Sequence, residues 1–185
     1  MDRYVRRSTE GVDGVLDEDG FLQVPIAETF RWYGGPQPIP VVGLAGSGSF
    51  VLLAPGGAGK TTVLNALRSS EPAATVVDLS LHDRSGMHRE LAAAVDLGRP
   101  VYLDGLDVAA REDPAALRIL QAHLVKPEAR AVPWRLACRP AAWDTRLTAA
   151  LSGALADFHE FVLLPLDRAA GCGAVRTSGR AGWLC

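Results

Sequence analysis

The run Phe50-Val51-Leu52-Leu53-Ala54-Pro55-Gly56-Gly57-Ala58-Gly59-Lys60-Thr61 constrains this chain more than any other stretch. Its unbroken apolar start reads as a strand covered on both faces. Val63, Leu64 and Leu67 then fall at helical spacing, so the glycines must carry the chain from a strand straight into a helix. Three glycines within four positions let backbone N–H groups turn inward as an anion nest with nothing bulky in the way. The helix adds its positive N-terminal end. A phosphate group is the ligand such a loop suits. The backbone of Pro55, Gly56, Gly57, Ala58 and Gly59 would cradle it, and Lys60 would reach the outer phosphates as a compact point charge. The hydroxyl of Thr61 would coordinate a bridging Mg²⁺, and Thr62 would help hold the inner phosphates. Arginine otherwise dominates the basic residues, and Lys126 is the only other lysine. Ala54 stands where this pattern usually begins with glycine.

Beyond the loop helix the chain alternates between strand and helix signals. Thr75-Val76-Val77-Asp78-Leu79 reads as a second strand, followed by a helix near Ser85 to Leu97 with Met87, Leu91 and Val95 on one face. Val101-Tyr102-Leu103 makes a third strand ending in Asp104. Asp113-Pro114 opens another helix, with Leu117, Leu120 and Leu124 facing inward. Trp134 to Cys138 makes a fourth strand, Trp143, Leu147, Leu151 and Leu155 share a helical face, and Glu160 to Leu164 makes a fifth strand. This alternation predicts an α/β fold with a parallel sheet and helices on both faces.

The chain has 185 residues, enough for one domain. We expect an irregular lead-in over 1–48, a core over 49–168 and an aberrant or unstructured tail over 169–185. The lead-in is rich in glycine, proline and acidic residues, and its aromatics Phe21, Phe30, Trp32 and Tyr33 predict packing on the core or on a partner. A net charge of −2 with scattered basic residues gives no footprint for nucleic acid. The N-terminus leads into charge rather than a hydrophobic signal, and no apolar run is long enough to span a membrane, so the expected location is the cytoplasm. Cys138, Cys172 and Cys185 are too few and too irregular for a disulfide framework, and Cys138 reads as a small core residue. His82, His88, His123 and His159 share no ligand spacing and read as solvated or hydrogen-bonded residues.

Asp104 closes an apolar strand and is followed by Gly105-Leu106-Asp107. Between Lys60 and Asp104 there is room for the loop helix, one strand and one further helix, which would bring Asp104 to the sheet edge where Thr61 stands. Two remote segments would then share one Mg²⁺, with the carboxylate acting through water because Mg²⁺ dehydrates reluctantly. The plainer reading is a capping aspartate at a strand end.

Val101-Tyr102-Leu103-Asp104-Gly105-Leu106-Asp107 resembles the Walker B segment of NACHT-type NTPases in the STAND class of signal-transducing ATPases. Arg135-Leu136-Ala137-Cys138-Arg139-Pro140 resembles their sensor segment, and Leu163-Leu164-Pro165-Leu166 resembles the lead into their next helical subdomain. Together these cover a little over half of the chain. The resemblance implies a P-loop NTPase three-layer sandwich, with a parallel sheet of about five strands in the order 5-1-4-3-2. It also implies that Lys60, Thr61 and Asp104 serve nucleotide and metal, that Asp107 is the nearby second acid and that Arg139 senses the outer phosphate. Read without the resemblance, Arg139 is a surface or interface arginine ending a strand. The family places a glutamate where this chain has Val108, and Gly105 offers no side chain beside Asp104. Only Asp107 is then left to position an attacking water, and slow turnover is the expectation.

ATP is favoured over GTP, because no Asn-Lys-x-Asp run exists and the sole asparagine, Asn65, lies on the loop helix. The expected function is an ATP-dependent switch whose bound nucleotide orders the loops carrying Asp104, Asp107 and Arg139. Family members carry a helical lid, an effector and a sensing repeat array, so the resemblance implies missing downstream domains or action on further copies of the chain. A small-molecule kinase and a nucleotide-binding remnant without catalysis are the rival readings.

Overall fold

The computed structural model describes residues 3–10, 16, 18–22 and 38–166. Within them the strands are β1 (Tyr4–Arg7), β2 (Ile39–Pro40), β3 (Phe50–Leu53), β4 (Thr75–Asp78), β5 (Val101–Asp104), β6 (Trp134–Cys138) and β7 (His159–Leu163). The helices are α1 (Lys60–Ser69), α2 (Arg84–Leu97), α3 (Leu106–Glu112), α4 (Ala115–Leu124) and α5 (Thr145–Ala154). The fold is α/β. All the strands join one sheet in the order β2-β1-β7-β3-β6-β5-β4.

The five strands read from the sequence pair in parallel, with β3 between β6 and β7 and β5 between β4 and β6. The expectation of about five parallel strands nevertheless needs correcting, because the sheet is mixed and has seven. β1 pairs antiparallel with both β7 and β2. Both extra strands come from the stretch expected to be an irregular lead-in. In β1 a single fully buried residue, Val5, sits beside Arg6 and Arg7, so no apolar periodicity announces the strand.

Alternate side chains divide the sheet into two cores, as the period of a strand requires. Phe50 and Leu52 of β3, with Tyr102, Ala137 and Phe161, pack against Val63, Leu64 and Leu67 of α1 and against Val41 and Leu44. Val51 and Leu53, with Leu103, Leu136 and Cys138, pack on the other face against Met87 and Leu91 of α2, Leu106 of α3, Leu120 and Leu124 of α4, and Leu147 and Leu151 of α5. Each fully buried leucine contributes about 1.5–3 kcal/mol relative to exposure. Burial on both faces explains why β3 and Val101-Tyr102-Leu103 of β5 are written as continuous apolar runs.

Helix boundaries follow local chemistry. Asp83 caps α2 by accepting from the Gly86 amide at 2.7 Å, and α2 stops at Gly98, whose φ of 60° is left-handed. Asp144 caps α5 by accepting from the Arg146 amide at 2.8 Å. The stretch between Asp104 and Asp113 carried no helix in the sequence reading, yet it holds the seven-residue α3. Trp143 lies just before α5, where its indole donates to Glu160 Oε1 at 2.5 Å and to Thr148 Oγ1 at 2.9 Å.

One charge is buried in the sheet. Arg135 of β6 is 2% exposed, with its guanidinium 5.2 Å from the Tyr102 ring centroid and 6.0 Å from that of Phe50. It donates to the Glu71 carboxylate, to the Tyr102 hydroxyl and, at 3.1 Å, to the Ser47 carbonyl. Burial pushes the Tyr102 hydroxyl up to about 12. Because Glu71 follows α1, this network ties the end of the loop helix to β5 and β6.

Cys138 is fully buried, as a core thiol should be, and burial pushes it up to about 12. His88 Nδ1 and His123 Nε2 are hydrogen-bonded at 2.9 Å between α2 and α4. Among the described residues no helix is long and apolar enough to cross a membrane. Phe30, Trp32, Tyr33, Cys172, Cys185 and the expected tail lie outside the described residues, while Phe21 lies within them and is partly buried.

Candidate functional site

The glycine-rich loop joins β3 to α1 by way of two left-handed residues, Gly57 (φ 78°) and Gly59 (φ 85°). Gly59 is the N-cap of α1 and leaves that end without a side-chain cap, unlike α2 and α5. The first helical amide bond runs from Val63 to the Gly59 carbonyl at 3.0 Å, so the amides of Lys60, Thr61 and Thr62 have no partner inside the helix. An anion is what such an end accepts.

Lys60 is 9% exposed, and its ammonium donates to the carbonyls of Ala54 (2.9 Å) and Pro55 (3.0 Å). Two of its three protons thus close the loop on itself, and the third is the one available to a ligand. Arg3 holds the loop from the other side. Its guanidinium, lowered from its ordinary pKa by burial, donates to the Ala58 carbonyl at 2.9 Å and to the Leu164 carbonyl at 3.2 Å.

Facing the loop, the carboxyl ends of β4 and β5 and the first turn of α3 bring three aspartates to a cavity of about 450 Å³. Thr61 Oγ1 donates to Asp104 Oδ2 at 2.5 Å, and the Gly105 amide donates to Asp104 Oδ1 at 2.8 Å. Asp107, in the first turn of α3, is ion-paired with Arg139 at 2.5 Å. The Arg139 guanidinium lies against the loop, because a Cβ on Gly56 would meet its Cζ at 3.2 Å. Asp78 at the end of β4 accepts from the Ser80 amide (3.0 Å) and hydroxyl (2.6 Å), both at Oδ1. Gly105 has a φ of 72°, and a Cβ there would collide with Asp78 Oδ1 and stand 2.9 Å from the Ser80 amide nitrogen.

The structure therefore brings together Gly56, Gly57, Gly59, Lys60, Thr61, Asp104, Asp107 and Arg139 around one cavity. Pro55 and Ala58 act through their carbonyls as anchors for Lys60 and Arg3. Thr62 stands apart from this cavity and lines a second, more apolar one of about 180 Å³ with Arg3, Tyr4, Pro40, Val41 and Val63. Sequence reasoning missed Asp78, Ser80 and Arg3. For Asp78 the signal existed, since it ends an apolar strand just as Asp104 does; for Arg3 there was none.

Chemically, this edge offers amide donors and two cations to an anion, and oxygen ligands to a hard cation. Among the described residues no group of three or more His, Cys, Asp or Glu is arranged to hold a metal. A cation here would take Thr61 and Asp104 from the protein and its remaining ligands from water and the anion, which is how Mg²⁺ ordinarily binds. A scan against protein-family models and a search for similar curated proteins both returned no match.

Proposed function

We propose that this chain binds a nucleoside triphosphate with Mg²⁺ as a P-loop NTPase, with ATP favoured, and acts as a nucleotide-dependent switch of the NACHT and STAND kind. The observation that carries this reading is the contact of Thr61 with Asp104 beside the glycine-rich loop. A loop glycine pattern alone occurs by chance, but a hydroxyl at the helix start touching a strand-end carboxylate is the pairing that a phosphate-bound Mg²⁺ needs. The uncapped α1 terminus and the buried Lys60 support it further. The smaller apolar cavity beside Thr62 and Val63 has the lining suited to the base, on the flank of α1 away from the acids.

In this reading Lys60, Thr61 and the loop amides hold the phosphates, and Mg²⁺ supplies charge neutralisation between them. Arg139 is the switching side chain. Paired with Asp107 and lying against Gly56, it has two competing anionic partners once a γ-phosphate arrives, and transfer from one to the other would move the segments carrying Asp107 and Arg139. The output passes to neighbouring domains or protomers. The test is thermal unfolding with Mg-ATP, Mg-ADP and Mg-GTP on the wild type and on Lys60→Ala.

One observation favours a second reading. A groove of about 420 Å³ beside Asp107, lined by Ala110, Arg111, Leu117, Ala142 and Trp143, is where a phosphoryl acceptor would sit if the chain were a small-molecule kinase. Phosphate transfer that depends on an added metabolite would establish that reading, and release to water alone would set it aside.

A further inference from the structure

We infer that the Asp78 carboxylate is the general base that orients and deprotonates the attacking water in this site, supplied by the neighbouring strand because no carboxylate follows Asp104 at position 105. The inference rests on the triphosphate reading above. Of the three aspartates around the cavity, two have both oxygens or their charge committed elsewhere. Asp104 accepts from Thr61 at Oδ2 and from the Gly105 amide at Oδ1. Asp107 is ion-paired with Arg139 at 2.5 Å. Asp78 is the third, and it is held differently.

Asp78 lies directly beside Asp104 in the parallel register of β4 and β5. Both of its hydrogen bonds arrive from Ser80 at Oδ1, so the carboxylate is fixed in orientation while Oδ2 has no protein partner among the described residues. The decisive geometry is at Gly105. A Cβ there would collide with Asp78 Oδ1 and crowd the Ser80 amide and Cβ, so the Asp78 carboxylate stands where a side chain following Asp104 would begin. The missing side chain at position 105 and the inward carboxylate at position 78 are two halves of one arrangement. Gly105, with its left-handed φ of 72°, is what lets β4 deliver the acid there.

The step balances as a hydrolysis. The water oxygen bonds to the γ-phosphorus, the bond from that phosphorus to the β–γ bridging oxygen breaks, and the water proton passes to Asp78 and then to the departing inorganic phosphate or solvent. Asp78→Asn is the informative variant, because the amide oxygen still accepts from Ser80 while the base is lost. A positioned base contributes about 10²–10⁴-fold, so phosphate release should fall at least about 100-fold.

A binding measurement tests the same point without turnover. Mg-ADP with aluminium fluoride mimics the transferring phosphoryl group with its attacking water, and should raise the melting temperature of the wild type beyond Mg-ADP alone. Asp78→Asn should keep the Mg-ADP shift and lose the aluminium fluoride increment. If it keeps the increment, or if Asp107→Asn loses it instead, the inference is overturned while the nucleotide reading stands. A wild type that no Mg-nucleotide stabilises would overturn both.

Discussion

The hydroxyl of Thr61 donates a 2.5 Å hydrogen bond to Oδ2 of Asp104. Thr61 lies in the first turn of the helix after the glycine-rich loop, and Asp104 ends a strand two positions away in the sheet, beyond β6. Only a parallel arrangement brings the start of that helix and the end of that strand to one edge.

Mg-ATP at a hundred times its dissociation constant should stabilise the fold by about 2.7 kcal/mol, a rise in melting temperature of roughly 5–10 °C. Lys60→Ala should abolish the rise. An equal rise with Mg-GTP would remove the preference for ATP while leaving the phosphate site intact.

Asp104→Asn should uncouple the nucleotide from its metal. In the wild type, chelating Mg²⁺ should shrink the thermal shift given by ATP. In the variant the shift should be smaller and indifferent to chelation, because the hard cation has lost its charged oxygen partner. A variant with full Mg²⁺ dependence would place the metal elsewhere.

Two glycine substitutions should separate strain from crowding. Gly57 and Gly105 are both left-handed, but nothing lies within 4 Å of a Cβ at Gly57, whereas one at Gly105 meets Asp78 and Ser80. Gly57→Ala should cost about 1–2 kcal/mol in urea unfolding, the left-handed penalty alone. Gly105→Ala should cost about 1–3 kcal/mol more, because overpacking is added to strain. Equal losses would show that β4 yields readily.

Acid should weaken the fold through His123. This ring is 5% exposed, and burial, with the charge of Lys126 and the neighbouring His88, lowers its pKa from the ordinary 6.5. The unfolded chain therefore binds a proton that the folded one refuses. Stability is whole above about pH 6.5 and falls as the pH drops from there toward the folded value. Melting temperatures measured from neutral pH to about pH 5 should show that decline, and His123→Gln should flatten it.

The Arg135 network makes a stability prediction independent of ligand. Arg135→Ala leaves Glu71 and the Tyr102 hydroxyl facing a buried gap and should cost about 3–5 kcal/mol. Replacing both charges, as Arg135→Met with Glu71→Leu, should recover most of that loss. A double variant as unstable as the single one would mean that the pair contributes through more than mutual neutralisation.

Of the five parallel strands, β3, β5 and β6 were legible because burial on both faces writes them as largely apolar runs, and β4 and β7 because short apolar stretches alternate with helical spacing; the loop was legible because glycine, lysine and threonine occur together at fixed positions. The strands β1 and β2 were not, since four residues with two arginines and a dipeptide carry no period. Nor was α3, at seven residues. Arg3 escaped for a related reason: its partners are the carbonyls of Ala58 and Leu164, and backbone acceptors leave no mark in sequence.

By itself, the amino-acid order determined the local pieces: the five strands that pair in parallel, where the glycines turn, and that Thr61 follows one of those strands while Asp104 ends another. Tertiary structure alone decided how the charges at that edge are shared. It paired Asp107 with Arg139, seated Arg139 against Gly56, and set Asp78 in the space Gly105 leaves open. Such choices turn on approaches of a few ångströms between segments remote in the chain, and local periodicity, which reports only a residue's near neighbours, holds no information about them.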